Sequence, residues 1–206
     1  FINGQYVINT DLQLSEGMNF FWLAYDVNAS ATPGHTIDAF CDSLNISDSI
    51  YLTNVDDTTG YRPIVVPMHG TYTIAQSGTP NYSSFATAVA DLNTRGVDGP
   101  VIFEVGEGLY NEQIMINQIE GSSITNSVKF VPANNDSTSV TLYYIATSAT
   151  DNYVVKLNGA DYVSFEKLNF YALGSSYARV FEITNYSDSI IITSCFINGY
   201  QTTSSS

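Results

Sequence analysis

Basic residues are scarce in this chain: six Lys plus Arg stand against 20 Asp plus Glu among 206 residues, a formal net charge of −14. A surface of that sign is repelled by phosphate backbones and anionic headgroups, so neither nucleic acid nor membrane insertion is expected. Charged residues of both signs make up 13%, about half the roughly 25% of an average soluble protein. Histidine occurs only as His35 and His69, in Gly- or Pro-flanked stretches without metal-ligand spacing. Asp does not alternate with Gly in a calcium-loop pattern, so neither metal nor cofactor is expected. The two cysteines, Cys41 and Cys195, lie 154 residues apart without a CxxC neighbour. Buried thiols are the expected state, with a disulfide between the two regions as the alternative. No run of roughly 18 apolar residues occurs, so no membrane-spanning helix is expected.

Polarity comes instead from Ser, Thr, Asn, Gly and 15 Tyr, beside a 44% hydrophobic content large enough to build a core. That composition is common in secreted β-proteins. Four alternating runs begin at Val101, Val128, Val154 and Val180, with spacings of 27, 26 and 26 residues. Each is followed by a second run, over 113–117, 140–144, 162–170 and 190–198. Val163, Phe165, Leu168 and Phe170 also sit 27 residues before Ile190, Ile192, Cys195 and Ile197. A fixed period of this size, with no helix between the short strands, predicts a solenoid of about four β-coils over 82–200.

Upstream, residues 1–67 carry strand-like runs separated by turn signals such as Ser15-Glu16-Gly17 and Pro33-Gly34, which predicts part of a β-sandwich or jelly roll. Trp22 falls in an alternating run and is expected in its core. Residues 68–81 read as a linker holding one short strand, Thr71 to Ala75. A helix is expected over 83–94, capped by Ser83 or Ser84, with Phe85, Ala88, Val89 and Leu92 on one apolar face. Placed just before the first coil, it would cover the open end of the stack. The chain opens at Phe1 inside an expected strand and closes on a Ser/Thr tail over 201–206, so it is expected to be a segment of a longer polypeptide.

The carboxylates needed for polysaccharide cleavage are not clustered. Glu104, Glu107, Glu112, Asp151, Asp161, Glu166 and Glu182 are the candidates. Glu104 and Glu182 occupy similar places in the repeat, but three coils apart they would stand about 14 Å from each other. Glycoside hydrolysis needs two carboxylates within about 5–9.5 Å, so no catalytic residue is assigned. Asp56-Asp57 reads as a surface turn. Lys129, Lys156 and Glu182, spaced by 27 and 26, are expected as an exposed outer ladder. Tyr144, Tyr171 and Tyr177, with Lys129 and Lys156, are the candidate ligand contacts, since aromatic faces suit sugars and protein interfaces. Phe20, Phe21 and Tyr25 would serve if the sandwich bound glycans.

Two stretches carry a family resemblance. Gly70-Thr71-Tyr72-Thr73-Ile74, Gly99-Pro100-Val101-Ile102-Phe103-Glu104-Val105 and Asp151-Asn152-Tyr153-Val154-Val155-Lys156-Leu157-Asn158-Gly159 resemble right-handed parallel β-helix domains of pectin-lyase-like type. The likeness is to those of secreted, cell-surface, adhesin-like proteins of Bacteroidetes. Gly17-Met18-Asn19-Phe20-Phe21-Trp22 with Gly34-His35-Thr36-Ile37-Asp38 is similar to the end of a sialidase-N-terminal-like β-sandwich of the same bacteria. The resemblance implies an extracellular or cell-surface location, export by the type IX system, and O-glycosylation of Asp-Ser-aliphatic sites at Ser43, Ser49 and Ser189. It implies a structural and adhesive segment meeting glycans or other surface proteins. Homo-oligomers or filaments through open β-edges are a further expectation. The alternatives are a fragment of a polysaccharide-degrading lyase or glycoside hydrolase, and a carbohydrate-binding module, because this fold hosts all of these.

Overall fold

The computed structural model describes residues 12–20, 27–28, 30–37, 41, 43–47, 49–52 and 62–200. Trp22, Phe21, Tyr25, Asp56-Asp57 and the 201–206 tail lie outside these residues. The chain divides into two units, Phe1–Thr32 and Pro33–Ser206. In the first, the Asn19 side chain ties a turn, accepting from the Ser15 N–H at 3.0 Å and donating to the Ser15 carbonyl at 3.0 Å.

The second unit begins with four short strands, β1 (Thr36–Ile37), β2 (Ser43–Ile46), β3 (Ser49–Leu52) and β4 (Arg62–Pro63). They form two antiparallel pairs, β1 with β4 and β2 with β3. Every residue of β2 and β3 is exposed. Cys41 beside them is also exposed, not buried as expected.

From residue 68 onward the chain coils. In order come β5 (Met68–Ile74), α1 (Phe85–Arg95), β6 (Val97–Val105), β7 (Gly108–Asn111) and β8 (Ile114–Asn117). Then come β9 (Val128–Pro132), β10 (Val140–Tyr144), β11 (Val155–Asn158), β12 (Val163–Glu166), β13 (Asn169–Ala172), β14 (Phe181–Thr184), β15 (Ile191–Thr193) and β16 (Phe196–Asn198). They build three parallel sheets: a long one, β5-β6-β9-β12-β15; a four-stranded one, β7-β10-β13-β16; and a three-stranded one, β8-β11-β14. The fold is an all-β parallel solenoid with a single helix and about five turns.

The fifth turn comes from residues expected to be a linker. β5 buries Met68 and Ile74 and pairs in parallel with β6, so it is the first rung of the long sheet. The 26-residue phase is also corrected. The runs at Val101 and Val128 lie in the long sheet, whereas those at Val154 and Val180 lead into β11 and β14 of the three-stranded sheet. Along the long sheet the partners are Phe103, Phe130, Phe165 and Ile192, with true spacings of 27, 35 and 27. The 27-residue match of Phe165 and Phe170 to Ile192 and Ile197 is a real register in two sheets.

These partners make the core. Phe103 stacks on Phe130 with centroids 4.7 Å apart, and Phe130 on Phe165 at 5.2 Å. All three are fully buried, and such stacked pairs add about 0.5–1.5 kcal/mol each beyond the area they bury. At the end of the three-stranded sheet an asparagine ladder climbs the coils. Asn158 donates to Asn117 at 2.9 Å and Asn185 donates to Asn158 at 2.5 Å. Every rung of the ladder thus satisfies an amide that a turn would otherwise strand.

The helix closes the first turn. Ser84, extended at φ −156°, accepts from the Thr87 N–H at 3.1 Å, as an N-cap does. Phe85, Ala88, Val89 and Leu92 are buried, and α1 packs on β5 and β8. Asn93 substitutes for a missing strand: it donates to the Met115 carbonyl at 2.9 Å and accepts from the Asn117 N–H at 3.0 Å. The edge of β8 is therefore paired by a side chain of the helix.

Candidate functional site

The acidic candidates are mostly absorbed by structure. Glu112 accepts from the N–H groups of Phe85 and Ala86 at 3.3 and 2.7 Å, at the positive end of α1. Asp161 accepts from the Asp188 N–H at 2.7 Å. Asp151 accepts from both the N–H and the hydroxyl of Ser148 at 2.8 Å, which holds its carboxyl below the usual range. Glu166 lies 3.4 Å from the Lys129 ammonium and 3.9 Å from that of Lys167. Glu182 meets Lys156 at 2.8 Å and also pairs with Arg179. Hydrogen bonding from Lys156, then from Arg179, pushes the Glu182 carboxyl down against a smaller opposing effect of burial.

The expected ladder of Lys129, Lys156 and Glu182 does not form as one row. Lys156 and Glu182 are register partners on the three-stranded sheet, while Lys129 lies on the long sheet between Ile102 and Ser164. Glu104 and Glu182 are likewise on different sheets. His69 belongs to β5, not a loop, and its Nδ1 lies 2.8 Å from Asp98.

The tyrosines divide in the same way. On β10 and β13 the side chains of Leu142, Phe170 and Ala172 point inward and are buried. Tyr143 and Tyr171 are register partners with the opposite parity, so they share the outer face. Tyr144 faces the core, and its hydroxyl donates to Asp151 at 3.4 Å. Tyr177 is half-buried between β13 and β14. Of the candidate contacts, then, Tyr171 alone reaches an open face shared with other polar groups. Ser43, Ser49 and Ser189 are all exposed. Ser189 stands in a turn at φ 53°.

That open face carries a depression of ≈ 420 Å³. Thr141, Asn169, Tyr171 and Phe196 form its floor, Ser137 and Thr138 one wall, Ser194 and Cys195 the other. Thr141, Asn169 and Phe196 are successive register partners across β10, β13 and β16. The Phe196 ring lies 5.5 Å from that of Tyr171. The 133–139 loop that makes the first wall is fastened at several points. Asn169 donates to the Ser137 carbonyl at 2.9 Å, Lys167 to Asn135 at 2.6 Å, and the Thr138 N–H to Asp136 at 2.8 Å. The Asp136 carboxylate is spent on Thr138, whose two hydrogen bonds lower its pKa. The Cys195 thiol donates to the Phe165 and Thr193 carbonyls at 3.4 and 3.3 Å, and burial raises its pKa, so it is a wall and not a nucleophile.

Sequence reasoning named Tyr171 but missed the rest of this face. Its signal was present: Thr141 precedes Asn169 by 28 residues and Asn169 precedes Phe196 by 27, a spacing shared by Tyr143 and Tyr171.

No family model matches the chain, and no curated protein matches it. A pectin methylesterase mutant, solved in complex with a hexasaccharide, is similar at 11% identity with a TM-score of 0.46. The match covers 60% of this chain and 42% of that one, so the chain spans well under half the length of that protein. A likeness at this level says nothing about activity. The parallel solenoid stands on the strand register itself.

Proposed function

We propose that the chain is a non-catalytic structural and adhesive segment of a large extracellular or cell-surface protein. The solenoid acts as a stiff spacer and an interaction surface. The observation that carries this is the commitment of carboxylates to structure: Glu112, Asp151, Asp161, Glu166 and Glu182 are each occupied by a helix end, a turn or a cation. General acid–base work on a glycan needs a pair of carboxylates facing one cleft, and the depression beside β10 and β13 is lined by none. In this reading the exposed Ser43, Ser49 and Ser189 carry the glycans of a type IX-exported surface protein, and end-to-end pairing through strand edges extends the rod.

The test is to incubate the purified protein with pectin, polygalacturonate and neutral polysaccharides. New reducing ends, unsaturated ends and released methanol are then measured. No product is expected. Turnover that disappears in Glu182→Gln or Glu166→Gln would replace this reading with that of a β-helix enzyme fragment. Light scattering at high concentration checks the end-to-end pairing, which a strict monomer removes.

A further inference from the structure

We propose that the outer face of the four-stranded sheet is a binding site for a neutral oligosaccharide or polysaccharide. This deepens the interaction-surface part of the preceding reading and rests on it only in treating the face as non-catalytic.

Three features of the face define the ligand. The first is its mixture of flat apolar and uncharged polar groups. Phe196 is 53% exposed and Tyr171 is half-buried beside it, so two rings offer faces to solvent. Around them stand the hydroxyls of Ser137, Thr138 and Thr141 and the amide of Asn169. A pyranose presents the complement: an apolar C–H face for a ring, and a rim of hydroxyls for donors and acceptors.

The second is charge. No carboxylate, ammonium or guanidinium lines the depression, and the chain as a whole carries −14. A polyuronate would bring its charge to a surface with no cation to receive it and a repulsive field around it. The face therefore selects an uncharged glycan.

The third is shape and rigidity. The ≈ 420 Å³ volume falls within the usual range of ligand sites. Its wall is already fastened by Lys167 and Asn169, so little ordering remains to be paid for on binding. The row from Leu109 through Thr141 and Asn169 to Phe196 crosses four rungs, about 14 Å at the spacing of neighbouring strands. Leu109 at its far end is 67% exposed. The strip thus offers an extended chain apolar contact at both ends and hydrogen-bonding groups between.

Affinity electrophoresis tests this. The whole chain is run through gels containing xyloglucan, galactomannan, mixed-linkage β-glucan or polygalacturonate. Retardation is expected in at least one neutral gel and none with polygalacturonate. Phe196→Ala and Tyr171→Ala should each weaken it about tenfold, the equivalent of one lost aromatic contact. Tyr186→Ala, at a ring 98% exposed elsewhere on the coil, should leave it unchanged. Thr141→Arg fills the floor from an outward position and should abolish retardation, which covers the case of an alanine variant that fails to fold. Absence of retardation in every neutral gel, equal retardation by polygalacturonate, or indifference to Thr141→Arg overturns the proposal. Product formation in the cleavage assays would instead overturn the non-catalytic reading and leave the binding result standing.

Discussion

The carboxylate of Glu112, on the first complete coil, sits 2.7 Å from the backbone nitrogen of Ala86 in the first turn of α1. One side chain thereby joins the end cap to the stack. It does so at a point where a helix has unpaired N–H groups and partial positive charge. Glu112→Ala should lower stability by about 1 kcal/mol, with Glu112→Gln between it and wild type. Urea unfolding gives the magnitude. Hydrogen exchange should show the loss concentrated at Phe85 and Ala86, and uniform exchange along the chain would contradict the assignment.

Phe130 is the centre of the buried aromatic column, stacked on Phe103 and Phe165 and also 6.0 Å from Phe85. Phe130→Ala should cost about 3–5 kcal/mol, through lost burial and the cavity left in a rung that cannot collapse. Phe130→Leu should cost distinctly less. The comparison is made by denaturant titration of both variants, and equal costs would show that the column is not tightly packed.

Acid should weaken the solenoid. Glu182 has its carboxyl lowered by Lys156 and Arg179, and Asp151 by Ser148. A carboxylate with a depressed folded-state pKa contributes stability that is present above its unfolded value, about 4. That contribution is lost as pH falls through the lower folded value. Urea midpoints should therefore hold between pH 7 and 5 and fall steeply below about pH 4. Glu182→Gln should flatten the acid limb, and an unchanged limb would place the sensitive groups elsewhere.

Gly121 and Gly78 have nearly the same backbone, φ +79° and +81°, but different surroundings. An added Cβ at Gly121 would run into the Val97 carbonyl oxygen, while at Gly78 it would meet nothing within 4 Å. Gly78→Ala should thus cost only the left-handed strain, about 1 kcal/mol. Gly121→Ala should cost about 3 kcal/mol, because backbone must move as well. Thermal melts of the pair read the difference directly.

The fold was legible wherever coil length is constant. Phe165 and Phe170 announce Ile192 and Ile197 because consecutive coils have equal length there. The preceding coil takes 35 residues from Phe130 to Phe165, with the added length in corner loops. All three sheets share the same two-residue alternation, so a Val-x-x-Val run does not declare its sheet. Hence the run at Val154 seemed to continue the run at Val128. The same slip moved Lys129 into a row with Lys156 that the structure does not contain. β5 was hidden for a different reason: its neighbours Pro67, Gly78 and Pro80 look like a linker, although Tyr72 stands in register with Phe103. The glycan-facing groove stayed unseen because Ser, Thr and Asn carry little signal until adjacent rungs bring them together.

The register of the long sheet also decides how the molecule would carry a load. Its strands lie across the direction in which the rungs succeed one another, so their backbone hydrogen bonds point along that direction. Tension applied along the stack meets these bonds one layer at a time, while the ring column of Phe103, Phe130 and Phe165 resists compression. Such a body yields under pulling by peeling successive turns, each step releasing a coil's worth of chain. The detachment of one layer leaves the next intact, which turns a brittle break into graded extension.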